Sequence, residues 1–131
     1  MIILDTSAAV ELLLSLPLSQ KVQEQLDRVD WLSATPQLLV VEALQVLRRR
    51  VVAGHTSLSD ANEACALFNE LNIRLYGHEL FTDRIWQLRD NVSAYDASYI
   101  ALAEVSEFEL LTSDVRLANA PGHEARITLI S

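Results

Sequence analysis

Apolar residues in this chain come in short blocks separated by polar turns, and two kinds of block alternate. Met1 to Leu4 is an apolar run that stops at Asp5-Thr6-Ser7. A run without polar alternation suits a strand buried on both faces, as in a parallel sheet. Trp31 to Ala34, Ile73 to Tyr76, Phe108 to Thr112 and Arg126 to Ile130 read as further strands. Helical spacing fills the gaps. Thr6 or Ser7 is placed to cap a helix over 8–14, which Pro17 ends, and Ser19 opens a more polar helix reaching 29. Thr35-Pro36 reads as an N-cap and first-turn pair for a helix running to Ala53, with Gly54 just past its end. Ser59 is expected to cap a helix to Leu71, and a single helix is expected over 78–90. A helix from Ser93 through Val105 and a short one from Ser113-Asp114 to Asn119 follow, and Pro121-Gly122 makes a turn.

Strands alternating with helices predict an α/β fold. The expected form is a three-layer α/β/α sandwich around a mostly parallel central sheet of about five strands. With 131 residues and no Pro-, Gly- or Ser-rich linker, residues 1–131 are expected to form one domain.

Charge and cysteine usage narrow the chemistry. The chain carries 10 Lys+Arg against 18 Asp+Glu, a net of −8. That balance argues against coating nucleic acid by bulk charge, but leaves room for an enzyme that meets it at one metal-loaded site. Lys21 is the only lysine, which disfavours P-loop and Schiff-base mechanisms. The single cysteine, Cys65, forbids an internal disulfide and a multi-cysteine zinc site, and reads as a small buried hydrophobe. No apolar run is long enough for a membrane span, and the N-terminus lacks the cation of a signal peptide. A cytoplasmic location is the expectation.

Four acids are out of place in their apolar contexts. Asp5 and Asp114 end buried strands, Glu42 interrupts an apolar helix, and Asp96 precedes the run Ala97-Ser98-Tyr99-Ile100-Ala101-Leu102. In parallel α/β sheets ligands bind beyond the carboxyl ends of the strands, which is where Asp5 and Asp114 fall. Burying clustered carboxylates is costly unless a cation offsets their charge, and hard oxygen donors suit Mg²⁺ or Mn²⁺. Such metals lower the pKa of a coordinated water and polarise a phosphodiester. Plainer roles exist for each acid. Asp5 can bond the turn it opens, Glu42 can point to solvent, Asp96 fits a capping box behind Ser93, and Asp114 can cap the helix after it.

Taken together these segments resemble the PIN domain, and more narrowly the VapC-type toxins of toxin–antitoxin pairs. The likeness rests on Ile3-Leu4-Asp5-Thr6-Ser7, Val41-Glu42-Ala43-Leu44 with Leu47-Arg48-Arg49, Tyr95-Asp96-Ala97-Ser98-Tyr99-Ile100-Ala101-Leu102-Ala103-Glu104, and Leu110-Leu111-Thr112-Ser113-Asp114-Val115-Arg116-Leu117. It covers residue 3 to about residue 130, in order. By resemblance, Asp5, Glu42, Asp96 and Asp114 are the acidic quartet. Asp5, Asp96 and Asp114 would be metal ligands, and Glu42 a ligand or the group that orients water. Thr6 and Thr112 would be the small hydroxyl residues beside the acids, with Thr112 holding the cluster by hydrogen bonding. The resemblance implies a Mg²⁺- or Mn²⁺-dependent endoribonuclease, held silent by a cognate antitoxin protein. It implies assembly as a homodimer, or as a heterotetramer or larger with that antitoxin. Many relatives carry an aromatic residue soon after the last acid; here that position is Leu117.

Other features are less specific. Arg116 is placed to meet a substrate phosphate. Arg48-Arg49-Arg50 can contact RNA or simply favour a helix C-terminus. His55, His78 and His123 lack metal-ligand spacing and read as surface or loop residues. Val10, Leu12, Leu13, Leu14 and Leu16 exceed what one helix face needs, which suits either core or a partner interface. A phosphoacceptor receiver domain is disfavoured because Asp5 has no acidic neighbour, and a haloacid-type phosphatase because Ser7 stands two after it. The alternative to an enzyme is a PIN-like binding module, or a degenerate toxin whose acids hold a structural metal without catalysis.

Overall fold

The computed structural model describes all residues, 1–131. Strand β1 (Ile2–Leu4) leads through α1 (Thr6–Leu13) and α2 (Ser19–Asp27) to β2 (Ser33–Pro36). Helices α3 (Leu38–Val52) and α4 (Leu58–Glu70) precede β3 (Arg74–Tyr76). A 3₁₀ turn (His78–Leu80), α5 (Thr82–Gln87) and α6 (Ala94–Ser106) lead to β4 (Glu109–Thr112), then α7 (Val115–Ala118) and β5 (Ile127–Leu129). The five strands form one sheet in the order β3-β2-β1-β4-β5, and every pairing is parallel. The α/β expectation holds, with a fully parallel sheet.

Alternate residues of the central strands bury opposite ways, as strand geometry requires. Ile2, Leu4 and Leu111 pack with Ala8, Leu12, Val22 and Leu26 of α1 and α2. Ile3 and Leu110 turn the other way, into a core shared with Tyr99, Ile100 and Leu102 of α6. Helices therefore cover both faces of the sheet. Helix α1 is enclosed on more than one side: Leu12 meets α2, while Leu13 packs with Leu47 of α3 and Ala64 of α4. The apolar surplus near the N-terminus is thus largely core, since Val10, Leu12 and Leu13 are all buried. Cys65 is only partly buried, at the edge of the α3–α4 contact.

Several local expectations are corrected. Thr35 and Pro36 do not open α3; they end β2, where Thr35 pairs with Leu75 and Pro36 with Tyr76. The Thr35 hydroxyl donates to the Leu4 carbonyl, tying β2 to β1, and proline is tolerated because it lies at the strand's last position. The start of α3 is capped by His78, whose Nε2 accepts from the Leu38 N–H at 3.0 Å. Helix α4 is capped by Ser57, not Ser59. The single helix over 78–90 is a 3₁₀ turn followed by the shorter α5. Gly54 does lie just past α3, at φ +78°, as its left-handed role demands.

Candidate active site

The chain leaves β1 toward β2 on one side and β4 lies on the other, so the switch point of this sheet falls between the carboxyl ends of β1 and β4. Asp5 directly follows β1, and Asp114 lies two residues past β4. Glu42 comes from the first half of α3 and Asp96 from the first turn of α6. All four line one open cavity of about 420 Å³. Residues far apart in sequence are thus brought together from four separate elements.

Asp5 is the most firmly held. It is 4% exposed, and its Oδ1 accepts from the Ala8 N–H at 2.8 Å and from the Ser7 hydroxyl at 2.7 Å. Its Oδ2 accepts from the Thr112 hydroxyl. The bond to Ala8 makes Asp5, rather than Thr6 or Ser7, the N-cap of α1. Both hydroxyls are thereby released into the site. Thr112 Oγ1 also accepts from the Asp114 N–H at 2.9 Å, and Ser7 Oγ accepts from the Ser113 N–H at 2.9 Å. These bonds knit the end of β1 to the end of β4. Burial pushes the Asp5 carboxyl above its ordinary range; the bonds from Thr112, Ala8 and Ser7 oppose that, and the charge of Asp114 adds to it.

Glu42 is half-buried and anchored by one oxygen. Its Oε1 accepts from Thr6 Oγ1 at 2.8 Å and from the Tyr99 hydroxyl at 2.6 Å. Burial, followed by that bond to Glu42, raises the Tyr99 phenol far above its usual value. Tyr99 is therefore a permanent donor that positions the Glu42 carboxylate. Asp96 accepts no protein hydrogen bond, while its own N–H donates to Ser93 Oγ at 3.1 Å. Burial and then the charges of Asp114 and Glu42 raise its carboxyl, opposed by Arg116. Asp114 Oδ1 caps α7, accepting from the Arg116 N–H at 2.8 Å and from the Leu117 N–H at 3.4 Å. For Asp5 and Asp114, then, capping and a place in the cavity coexist.

The donor set suits a hard divalent cation. Glu42 Oε2, both Asp96 oxygens and Asp114 Oδ2 accept nothing from the protein, and all belong to residues lining the cavity. Burial first, and like charges after it, raise Asp5 and Asp96, an unfavourable arrangement that a dication offsets. No three of the side chains are closed into a ready ligand cage. The donors thus ring the cavity without being drawn together.

The remaining predicted residues separate. Thr6 and Thr112 face the acids, as described. Arg116 stays exposed at the rim and does not line the cavity, although its charge reaches Asp96. Leu117 is fully buried in the core and forms no groove wall. Sequence reasoning read Ser7 only as a possible cap and gave Tyr99 no role. Spacing puts Tyr99 on the face of Asp96, three residues before it on the helix, but gives no sign of its bond to Glu42.

Comparison with known proteins identifies the family and the fold. The PIN domain model matches residues 2–122. Ribonuclease VapC12 of Mycobacterium tuberculosis is 37% identical over 131 residues, covering 100% of both chains. VapC ribonuclease Mb0985 of Mycobacterium bovis is 34% identical over 130 residues, covering 99% of this chain and 98% of its own. Among solved structures, PAE2754 from Pyrobaculum aerophilum superposes with a TM-score of 0.67 at 20% identity, over 96% of this chain and 81% of that one, a likeness of fold. A family match across nearly the whole chain, over a sheet whose switch point gathers four acids, places the chain in the PIN-domain family.

Proposed function

We propose that this protein is a metal-dependent endoribonuclease that hydrolyses RNA phosphodiester bonds, and that it acts as the toxin of a toxin–antitoxin pair. The observation that carries the reading is the convergence of Asp5, Glu42, Asp96 and Asp114 on one cavity at the sheet's switch point. Full-length relatives named VapC ribonucleases supply the substrate class.

Asp96 and Asp114 would hold Mg²⁺ or Mn²⁺ through their free oxygens, with Asp5 contributing charge and Glu42 contributing Oε2. When bound, the cation supplies Lewis acidity toward the phosphodiester and acidifies water. The chain's own residues set the geometry. Thr112 and Ser7 lock Asp5 and join the two strand ends. Tyr99 and Thr6 fix one Glu42 oxygen, which leaves the other to orient water or a ligand. Rigid support of this kind keeps the reacting groups aligned.

The partner reading is a cognate antitoxin. A net charge of −8 and an acid-lined cavity complement a basic segment of such a protein, which would compete with metal and RNA for the site. Assembly as a homodimer, or as a larger complex with the antitoxin, is part of this proposal.

Purified, partner-free protein incubated with total RNA tests the activity. Discrete fragments in Mg²⁺ or Mn²⁺ that disappear in EDTA and in Asp5→Asn support it. No cleavage by folded, metal-supplied protein would leave a PIN-like binding module.

A further inference from the structure

On the ribonuclease reading, an RNA strand approaches a cavity lined by five carboxylates, Glu11 included, on a protein of net charge −8, which favours a local cation to receive its phosphates. Arg48, Arg49 and Arg50 stand in sequence as an undivided basic run, but the structure separates them. Arg48 and Arg49 are exposed, whereas Arg50 is half-buried and lines the acid cavity together with Val46 and Leu16. Its Nε donates to Thr56 Oγ1 at 2.9 Å. That bond fixes the plane of the guanidinium while leaving both Nη groups without a protein acceptor. The one ion pair in the molecule joins Arg84 to Glu104, so Arg50 is paired with none of the carboxylates around it. An arginine held beside five acids yet bonded to none keeps its charge available.

Arg50 also lines a second, neighbouring cavity of about 530 Å³, with Thr56, His55 and the acids Asp60 and Glu63, and Leu16 is common to both. The two cavities therefore meet at Arg50. We propose that Arg50, tethered by Thr56 at the junction of the two cavities, binds the RNA phosphate next to the scissile one. A guanidinium fork with both Nη groups free matches a phosphate's paired oxygens. The inference rests on the ribonuclease reading for the identity of the strand, and on the placement of Arg50 in the acid cavity for the contact.

The test is binding of a fluorescein-labelled single-stranded uridine 12-mer RNA in EDTA. It uses full-length protein carrying Asp5→Asn, so that cleavage does not intervene, across a range of KCl. Adding Arg50→Ala is expected to weaken binding about tenfold, as loss of a charge-assisted phosphate contact does. It should also lower the magnitude of the salt slope by about 0.7, the share of one single-strand phosphate. Thr56→Val, which cuts only the tether, should weaken binding less and keep the slope. Arg50→Lys should keep the slope and recover part of the affinity. Arg48→Ala and Arg49→Ala should leave both unchanged. With the acids restored, Arg50→Ala should raise KM while leaving kcat within about twofold, because the contact lies beside the reacting phosphate. An unchanged affinity and salt slope in Arg50→Ala would overturn the inference. If RNA is cleaved but Arg50→Ala is silent, this inference alone fails. If RNA binds through Arg50 but wild type never cleaves, the ribonuclease reading fails instead.

Discussion

Tyr99→Phe removes one oxygen and nothing else. The ring is 2% exposed and packs within the main core, so phenylalanine keeps its contacts. What goes is the bond from the hydroxyl to Glu42 Oε1 at 2.6 Å, together with its contact to Thr6 Oγ1 at 2.9 Å. Hydrogen bonds to charged groups contribute about 1.5–3 kcal/mol. Glu42 is half-buried and keeps Thr6 at 2.8 Å, so the low end applies, about 1.5 kcal/mol. At an unfolding entropy of about 2.1 cal/mol/K per residue, a 131-residue chain should lose about 5 °C of Tm. Thr6→Val removes the other donor to the same oxygen, so the double variant should cost more than the two singles combined, by at least about 0.5 kcal/mol. Thermal unfolding followed by near-UV circular dichroism in EDTA at pH 7 reads all three. Under saturating Mg²⁺ the cleavage rate of Tyr99→Phe should fall about 10–100-fold, the usual cost of losing a group that orients an active-site ligand. A Tyr99→Phe protein with wild-type Tm and wild-type rate would show that Tyr99 does not position Glu42.

Three further outcomes follow from the same geometry. The raised Asp5 and Asp96 carboxyls bind protons more readily folded than unfolded, so metal-free stability should gain from these two groups as pH falls from 7 toward 4. Asp5→Asn and Asp96→Asn should each flatten that gain, and Asp5→Asn should melt no lower than wild type at pH 7 because asparagine also caps a helix; a calorimetric pH series checks both. Glu104 behaves oppositely: the hydrogen bonds from Arg84 hold its carboxyl below 4.5, so its contribution is present above that pH and is lost as pH falls through the lowered value. Arg84→Met should therefore cost about 1 kcal/mol at pH 7, less at high salt, with the difference closing in acid. Mg²⁺ at one hundred times its Kd should stabilise wild type by about 2.7 kcal/mol, and scanning calorimetry should find that gain largely lost in Asp96→Asn and Asp114→Asn.

The strands and the acids were legible because their signals are local and strong. An uninterrupted apolar block ending in an aspartate marks a buried strand and its carboxyl end at Asp5, and the Leu110-Leu111 pair followed by Thr112-Ser113-Asp114 gives a similar, weaker signal at Asp114. Glu42 and Asp96 stood out as charges within apolar helices. Caps were harder to read, because adjacent polar residues compete for one position. In Asp5-Thr6-Ser7 the aspartate took the cap, and the two hydroxyls, read as caps, became site donors. Thr35-Pro36 carried a helix-start pattern, yet pairing with β3 and the bond to Leu4 held it in the sheet. The donors that orient the acids were least visible. Tyr99 lies 57 residues from Glu42, and nothing local to an aromatic in an apolar run announces a bond across the core. The division of labour among three consecutive arginines was likewise set by the helix's rotation and by Thr56, not by composition.

In the proposed function the four acids form a metal-dependent site that cuts RNA. Its most direct measurement is cleavage of a labelled total-RNA pool by purified, partner-free protein with Mg²⁺ or Mn²⁺, with EDTA, and beside Asp5→Asn. Discrete fragments that need the metal and vanish in the variant are expected, with ends that sequencing assigns to a target. Intact RNA in the presence of folded, metal-supplied wild type would contradict that function, as would cleavage that persists undiminished in Asp5→Asn.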